Sequence, residues 1–358
     1  MKDPYKIENK VLSDLIDNVY EIIKDYRAGE DDCMQKWHII RWINQFDSED
    51  DRIFILKELK HLLPNSYLSR QDAEEFLISI VDDIKDTFSI GTTENFFKEV
   101  NFILVQKEDK SQQSLLNILR RYSIDNFNIA INCSSDIGSY KYHIYIDDVV
   151  ATGGTLYKDL KSFIKINKDS IFKKGIKIIP FFICYHNWGL KNTFARLEYS
   201  SKEFHKIMAD YYFSYVILKN DPREEESNKL YNLLYPIKSE IGQYFLDNIG
   251  KYFDRNDWRN EEYAFREEHL PLKEDFFSSP ENRLRYEEIL LKKGIEIMDK
   301  TVSLSLKSIR PLGCTLLSNK TLGTGTHFFT WRNISNTCPL VFWYSGGDWK
   351  PLFKKRNY

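Results

Sequence analysis

Apolar residues recur at helical spacing near the start of the chain. Val11, Leu12, Leu15 and Ile16 fall on one face of a helix. Similar stripes continue to about residue 90. Most such stripes pack into a core, and some dock a partner. We therefore predict a helical domain over residues 1–90.

The pattern changes to short apolar runs that alternate with amphipathic stretches between about residues 91 and 220. This alternation is typical of a parallel sheet with helices between its strands. It predicts a Rossmann-like α/β core with a parallel five-stranded sheet over residues 91–220. Pro180 weakens the prediction of the fourth strand or favours an edge position for it, because proline cannot donate to a central ladder. The predicted strands cover residues 100–105, 128–132, 142–146, 176–184 and 211–218.

Helical patterns return after the predicted sheet. Ser279 is a good N-cap before Pro280, and Gly294 is expected to end the same helix. We predict a helical extension over residues 221–300. Residues 301–358 are rich in Gly, Thr and Trp, and we expect this C-terminal segment to pack on the core.

The composition is that of an ordinary globular protein. The chain has 358 residues and a formal net charge of −2, which gives no global electrostatic reason for nucleic-acid binding. No apolar run is long enough for a membrane span, and the first residues lack the apolar core of a signal peptide. The five cysteines form no C-x-x-C pair, which favours a reducing compartment over a disulfide framework. We expect a cytoplasmic protein without a membrane partner.

Residues 143–156, HIYIDDVVATGGTL, are the most informative stretch of the chain. They read as a buried strand, two acids, a Thr/Gly loop and the start of a helix. Such loops lie at the carboxyl edge of an open α/β sheet, where ligands bind. Asp147 and Asp148 are suited to accept hydrogen bonds from two adjacent sugar hydroxyls. A phosphate would be held by loop N–H groups and by the start of the helix. The loop comprises Ala151, Thr152, Gly153, Gly154 and Thr155.

This stretch resembles the phosphoribosyl-pyrophosphate (PRPP) signature of type I phosphoribosyltransferases. The resemblance implies that the ligand is PRPP or a related ribose 5-phosphate, with chemistry at ribose C1. It assigns catalytic roles to Asp147 and Asp148, and 5-phosphate binding to residues 151–155. The implied cofactor is Mg²⁺, held mainly through the substrate, with the two acids as its candidate protein ligands. An ordinary strand–turn–helix with acidic turn residues remains the alternative.

Two further loops flank the predicted site. The loop after the first core strand is expected to meet the pyrophosphate, through charge on Lys107 or Lys110 and a hydrogen bond from Ser111. A solvated surface loop is an equal alternative. The connection before the third strand is where such enzymes carry a mobile lid. Here it is short, and Lys141 is its only cation, which puts exclusion of water in doubt.

The acceptor is left open by the sequence. Ala151 stands where relatives that act on 6-oxopurines carry an acid, so salvage of hypoxanthine or guanine is not expected. His186, Asn187 and Trp188 follow the fourth predicted strand and are candidates to face the acceptor, although a structural role is favoured. A nucleobase, a nucleotide and a nucleic-acid end all remain open as acceptors.

The aromatic tail offers a second candidate acceptor pocket. Trp331, Arg332, Asn333 and Trp343 combine flat rings with hydrogen-bonding groups that suit a nucleobase. Burial of the tryptophans in a core is the favoured alternative, because large aromatics usually serve packing.

The layout of the whole chain also resembles a group of bacterial phosphoribosyltransferase-like proteins with helical extensions on both sides of the core. These proteins occur in conflict and antiphage systems, including retron-associated ones. The resemblance rests on passages within residues 42–69, 283–297 and 310–353. It implies an antiphage defence effector, with defence-operon proteins or nucleic acid as candidate partners and a homo-oligomer as a candidate assembly. A catalytically silent PRPP- or nucleotide-sensing module that regulates a partner is the main alternative. A toxin acting on nucleic acid is a further one.

Overall fold

The structure is a computed structural model that describes residues 7–108, 110–301 and 306–356. The chain forms two compact units. The sheet unit comprises residues 71–218, and the helical unit combines residues up to Arg70 with residues from Lys219 onward. The predicted domain boundaries at residues 90, 220 and 300 remain predictions. Residues 1–6 and 357–358 of the predicted terminal segments lie outside the described residues.

The helices and strands are numbered in chain order. The helices are α1 Lys10–Ile23, α2 Lys36–Ile43, α3 Glu49–Ser66, α4 Arg70–Phe88, α5 Thr93–Glu99, α6 Ser111–Phe127, α7 Gly154–Ile166, α8 Lys168–Ile171, α9 Asn187–Ser200, α10 Phe204–Ile207, α11 Glu225–Lys229, α12 Glu240–Asp247, α13 Pro280–Asp299 and α14 Leu340–Trp343. The strands are β1 Tyr67–Leu68, β2 Val100–Ile103, β3 Asn132–Ser134, β4 Tyr142–Val150, β5 Lys177–His186, β6 Phe213–Leu218 and β7 Phe329–Thr330.

The sheet unit contains a five-stranded parallel sheet in the order β3-β2-β4-β5-β6. The predicted α/β class and the parallel sheet are therefore confirmed. Strands β4 and β5 lie inside the sheet, and β5 is buried along almost its whole length. A parallel strand covered on both faces reads as a continuous apolar run, which is why Ile178 to Cys184 show no alternation.

Two details of the predicted sheet were wrong. Pro180 lies in an interior strand, because β6 pairs with β5 only from Phe181 onward and leaves the proline outside that ladder. The second strand begins at Asn132, four residues later than predicted. Helix α6 continues to Phe127, and Asn128 caps it in the left-handed conformation with φ 54°.

The helical unit has its own apolar core, which joins α1, α2 and α3 to the C-terminal segment. Trp42 of α2 donates from its indole N–H to the Val341 carbonyl at 2.8 Å, and Trp349 donates to the same carbonyl at 3.0 Å. The C-terminal segment also contributes the short strand β7, which pairs with β1. Trp343 is also buried, with its N–H bonded to Cys338 O at 2.7 Å. This packing favours the core role of the tail over the acceptor pocket.

Helix α13 carries a buried charged network through the helical unit. Arg283 is bonded to Glu274 and, at 3.3 Å, to Glu287, while Arg266 contacts Glu287 at 3.4 Å. The N-cap prediction is confirmed, since Ser279 Oγ accepts from Asn282 N at 3.1 Å.

The predicted helix end at Gly294 was wrong, because α13 continues to Asp299. A Cβ at Gly294 would lie 2.6 Å from the Pro311 carbonyl oxygen, so this glycine allows a close approach of two backbones. In the described part of the chain, no helix is long and apolar enough to cross a membrane.

Candidate functional site

The candidate site lies where the order in which strands are added to the sheet reverses direction. The chain passes from β2 outward to β3 and then returns to the other side of β2 as β4. In open parallel sheets the crevice beyond the carboxyl ends of two such strands is the usual ligand position. The loop after β2 and the acids at the end of β4 both lie at this edge. Register pairs Phe102 with Ile144, three residues before Asp147.

Asp147 is buried, and both of its carboxylate oxygens accept hydrogen bonds from the protein. Oδ1 accepts from Ser111 Oγ at 2.6 Å and from Asp148 N at 2.9 Å. Oδ2 is approached by Tyr145 Oη at 3.3 Å and by Gln106 Nε2 at 3.4 Å. Burial, followed by the charge of Asp148, raises the pKa of Asp147 to about 7, and the Ser111 bond opposes that shift. Asp147 is thus tied to the loop after β2.

Asp148 has a different environment from its neighbour. Its side chain is half-buried, and Oδ1 accepts from the following backbone N–H, Val149 N, at 2.7 Å. Successive residues of a strand point to opposite faces of the sheet, so the side chains of Asp147 and Asp148 lie in different surroundings. Asp148 is therefore the acid of the pair that is better placed to meet a ligand.

A third acid, Asp159, joins the site from the second turn of α7. Its Oδ2 accepts from Tyr145 Oη at 2.8 Å and from Gln106 Nε2 at 2.9 Å. Burial raises the pKa of Asp159, while these two hydrogen bonds lower it. Sequence reasoning missed Asp159 and Gln106. The available signal was a lone acid four residues after Thr155, on the helix face that turns back toward β4.

The predicted phosphate loop forms the turn between β4 and α7. Gly153 has φ 71° and is the N-cap of α7, whose first residue is Gly154. A Cβ at Gly153 would lie 1.7 Å from Thr193 Oγ1, so α9 closes the back of this loop. Ala151 and Thr152 form the bend that leads into it. The positive end of a four-turn helix and a glycine backbone are the features that favour a bound phosphate.

The predicted pyrophosphate contacts do not all lie together. Ser111 begins α6 and is bonded to Asp147, while Lys110 is the N-cap of the same helix and Lys107 is exposed on the preceding loop. Lys141 lies just before the first residue of β4, and the end of its side chain rests 5.1 Å from the centre of the Tyr142 ring. At about 3.3 Å per strand residue, its Cα is roughly 20 Å from that of Asp147. The structure therefore does not bring Lys141 to the acids.

The residues after β5 lie near the predicted phosphate loop. His186 ends β5 and is fully buried, and burial lowers its pKa to about 3. Asn187 and Trp188 begin α9, where Asn187 Oδ1 accepts from Trp188 N at 3.0 Å. Both are half-buried. A neutral, buried His186 fits a structural role, whereas Asn187 and Trp188 retain the exposure that contact with an acceptor requires.

The described residues contain no group of three or more His, Cys, Asp or Glu side chains arranged to hold a metal ion. A magnesium ion nevertheless suits the donor set at the end of β4, because carboxylate oxygens are its preferred protein ligands and substrate phosphates usually complete its shell. Asp148 is the residue that fits this role. Both oxygens of Asp147 are already bonded to protein donors.

Comparison with known proteins identifies one family. A search of curated proteins gives no match. The family described as PRTase-CE matches over residues 39–355, which covers the sheet unit together with most of the helical unit. The family name indicates a phosphoribosyltransferase-like protein. With the parallel sheet and the Thr-Gly-Gly-Thr loop, this match shows that the chain belongs to the PRTase-CE family.

Proposed function

We propose that this protein binds the ribose 5-phosphate group of PRPP and carries out Mg²⁺-dependent chemistry at ribose C1. The acceptor would be a nucleobase, a nucleotide or a nucleic-acid end. One observation carries the proposal: a half-buried carboxylate, Asp148, and a glycine loop at the start of α7 share the carboxyl edge of the sheet at its topological switch point.

The roles follow from the geometry of each group. The backbone of residues 151–155 and the start of α7 would hold the 5-phosphate. Asp148 would accept hydrogen bonds from the ribose hydroxyls. Displacement at C1 builds positive charge on the sugar ring, which a nearby carboxylate stabilises. Bound Mg²⁺ would supply neutralisation of the departing pyrophosphate.

Asp147 would act mainly by positioning. It holds Ser111 at 2.6 Å and so fixes the start of α6 beside the end of β4. It also holds the Asp148 backbone N–H at 2.9 Å, which sets the orientation of the neighbouring acid. Its negative charge is partly suppressed by burial, so it contributes less to charge stabilisation than Asp148 does.

A catalytically silent PRPP- or nucleotide-sensing module is the second candidate. The observation in its favour is that Gln106 Nε2 already donates to protein carboxylates, to Asp159 at 2.9 Å and to Asp147 at 3.4 Å. Such a module would bind the ligand without releasing pyrophosphate and would signal to a partner. In either case we propose a cytoplasmic defence role, as an antiphage effector that works with other defence proteins or on nucleic acid.

The test is a calorimetric titration of PRPP into the full chain with Mg²⁺, followed by an assay of the same solution for released pyrophosphate. Binding with release supports the enzyme. Binding without release, even after nucleobases, nucleotides and single-stranded nucleic acids have been added, supports the sensing module. If no heat of binding is detected, the proposed ribose 5-phosphate site is wrong.

A further inference from the structure

The loop after β2 already has an internal acceptor for its backbone donors. Val105 N and Gln106 N both donate to Oε1 of Gln112, at 3.1 and 3.3 Å. The Gln112 side chain is fully buried at the start of α6. Its Nε2 donates to Ile146 O at 3.3 Å, one residue before Asp147. Gln112 therefore joins the loop to the end of β4.

The side-chain donors of the same loop are engaged as well. Gln106 Nε2 donates to Asp159 at 2.9 Å, and Ser111 Oγ donates to Asp147 at 2.6 Å. These four donors are two backbone N–H groups, an amide and a hydroxyl. All of them bond to oxygens of other protein side chains. A ligand at this edge would find them already occupied.

Two successive N–H groups that converge on one oxygen form the type of concave donor pair that holds phosphate oxygens in proteins. At this loop the oxygen belongs to a neutral side-chain amide, Gln112 Oε1. A pyrophosphate oxygen would have to displace it. A buried amide that loses its partners pays a desolvation penalty that offsets the new bonds.

We propose that Gln112 is a specificity-determining residue whose amide oxygen takes the place of a pyrophosphate oxygen. The site would then recognise the ribose 5-phosphate part of its ligand and gain little from a pyrophosphate at C1. Nucleoside 5′-monophosphates would bind as well as PRPP does. This inference rests on the proposed function, because Asp148 and residues 151–155 must hold the part that these ligands share.

The first test compares three probes on the full chain with Mg²⁺: ribose 5-phosphate, adenosine 5′-monophosphate and PRPP. We expect dissociation constants within about threefold of one another, a difference well below one hydrogen bond to a charged group. A PRPP affinity more than about thirtyfold above that of ribose 5-phosphate contradicts the inference and leaves the proposed function intact. Absence of binding by all three probes overturns both.

The second test removes the competing oxygen. Gln112→Ala frees the two N–H groups, so PRPP affinity relative to ribose 5-phosphate should rise about tenfold, as expected for one or two new hydrogen bonds to an anion. Gln113→Ala is the matched control, since Gln113 lies next to Gln112 on α6 and accepts from Arg120 instead. Gln112→Met, which keeps the volume and lacks the oxygen, replaces the alanine variant if that variant does not fold. An unchanged affinity ratio in a folded variant contradicts the role given to Gln112.

Discussion

Gly153 lies against Thr193 so closely that a Cβ on the glycine would sit 1.7 Å from the threonine Oγ1. Thr193 itself is held by a hydrogen bond from Oγ1 to Gly189 O at 2.8 Å. The predicted phosphate loop therefore packs directly against α9, with no space for a side-chain atom on Gly153. A change on either side of this contact should move the loop.

Gly153→Ala should abolish binding of ribose 5-phosphate and destabilise the fold. The left-handed φ of 71° costs an alanine about 1 kcal/mol, and overpacking against Thr193 adds about 1–3 kcal/mol. Urea unfolding and calorimetric titration measure the two effects. Adding Thr193→Ala should recover part of the stability. If the single variant binds normally, the loop is not the phosphate site.

Asp148→Asn should lower the affinity for PRPP at least about tenfold, because hydrogen bonds to a charged acceptor contribute about 1.5–3 kcal/mol each. The half-buried position of Asp148 should leave the free energy of unfolding almost unchanged. Asp125→Asn, an exposed change on α6, is the control. Full affinity for PRPP and full turnover in the Asp148→Asn variant would show that Asp148 has no central role at the site.

The contribution of Asp147 to the stability of the protein should fall as pH rises from about 4 to about 7. The folded pKa of Asp147 is raised to about 7, above the value of about 4 in an unfolded chain, so the folded state binds the extra proton in this window. The favourable contribution is complete below pH 4 and lost above pH 7. Asp159 has a raised pKa and adds a change of the same sign.

Asp147→Asn should therefore remove the Asp147 part of the pH dependence of unfolding. The amide resembles the protonated acid, so the variant should match the wild type below about pH 4 and exceed its stability at pH 8, by a few kcal/mol at most. Chemical denaturation at a series of pH values measures this difference. A variant with the same slope as the wild type contradicts the raised pKa.

Glu287→Gln should strongly destabilise the helical unit. Glu287 is buried and accepts from the Tyr235 backbone N–H at 2.9 Å, besides facing Arg283 and Arg266. Loss of one partner from a buried ionic network costs about 3–5 kcal/mol. Glu288→Gln, the exposed neighbour on α13, should change the unfolding free energy by less than about 0.5 kcal/mol. Equal effects of the two changes would contradict this account of the network.

The sequence predicted the parallel sheet and the strand, turn and helix that contain the signature residues, because these elements depend on local patterns. Alternating apolar runs define parallel strands, and Asp147, Asp148 and the Thr-Gly-Gly-Thr segment are contiguous. Gln106, Gln112 and Asp159 could not be predicted in the same way. They come from three separate segments, and their roles arise only from hydrogen bonds across β2, β4, α6 and α7.

Tertiary packing also explains why the helix end at Gly294 was predicted wrongly. Gly294 resembles a residue that ends a helix, yet it lies inside α13 and allows the helix backbone to approach Pro311 closely. His327 is equally deceptive: it contacts Ser66 Oγ at 3.3 Å and Tyr286 Oη at 3.2 Å, which resembles a catalytic arrangement. It is fully buried, and burial lowers its pKa to about 3, so it belongs to the core.

The shared carbonyl of Val341 has a consequence for how the protein is made. Trp42 and Trp349 both bond to it, so the N-terminal helices reach their final packing only after Val341 and Trp349 have left the ribosome. The sheet unit lies between these two halves in the chain and is complete first. At ordinary synthesis rates the early helices wait tens of seconds with part of their apolar surface uncovered. A nascent chain that stops before Val341 would leave part of this core exposed and would be a natural client for chaperones and proteases.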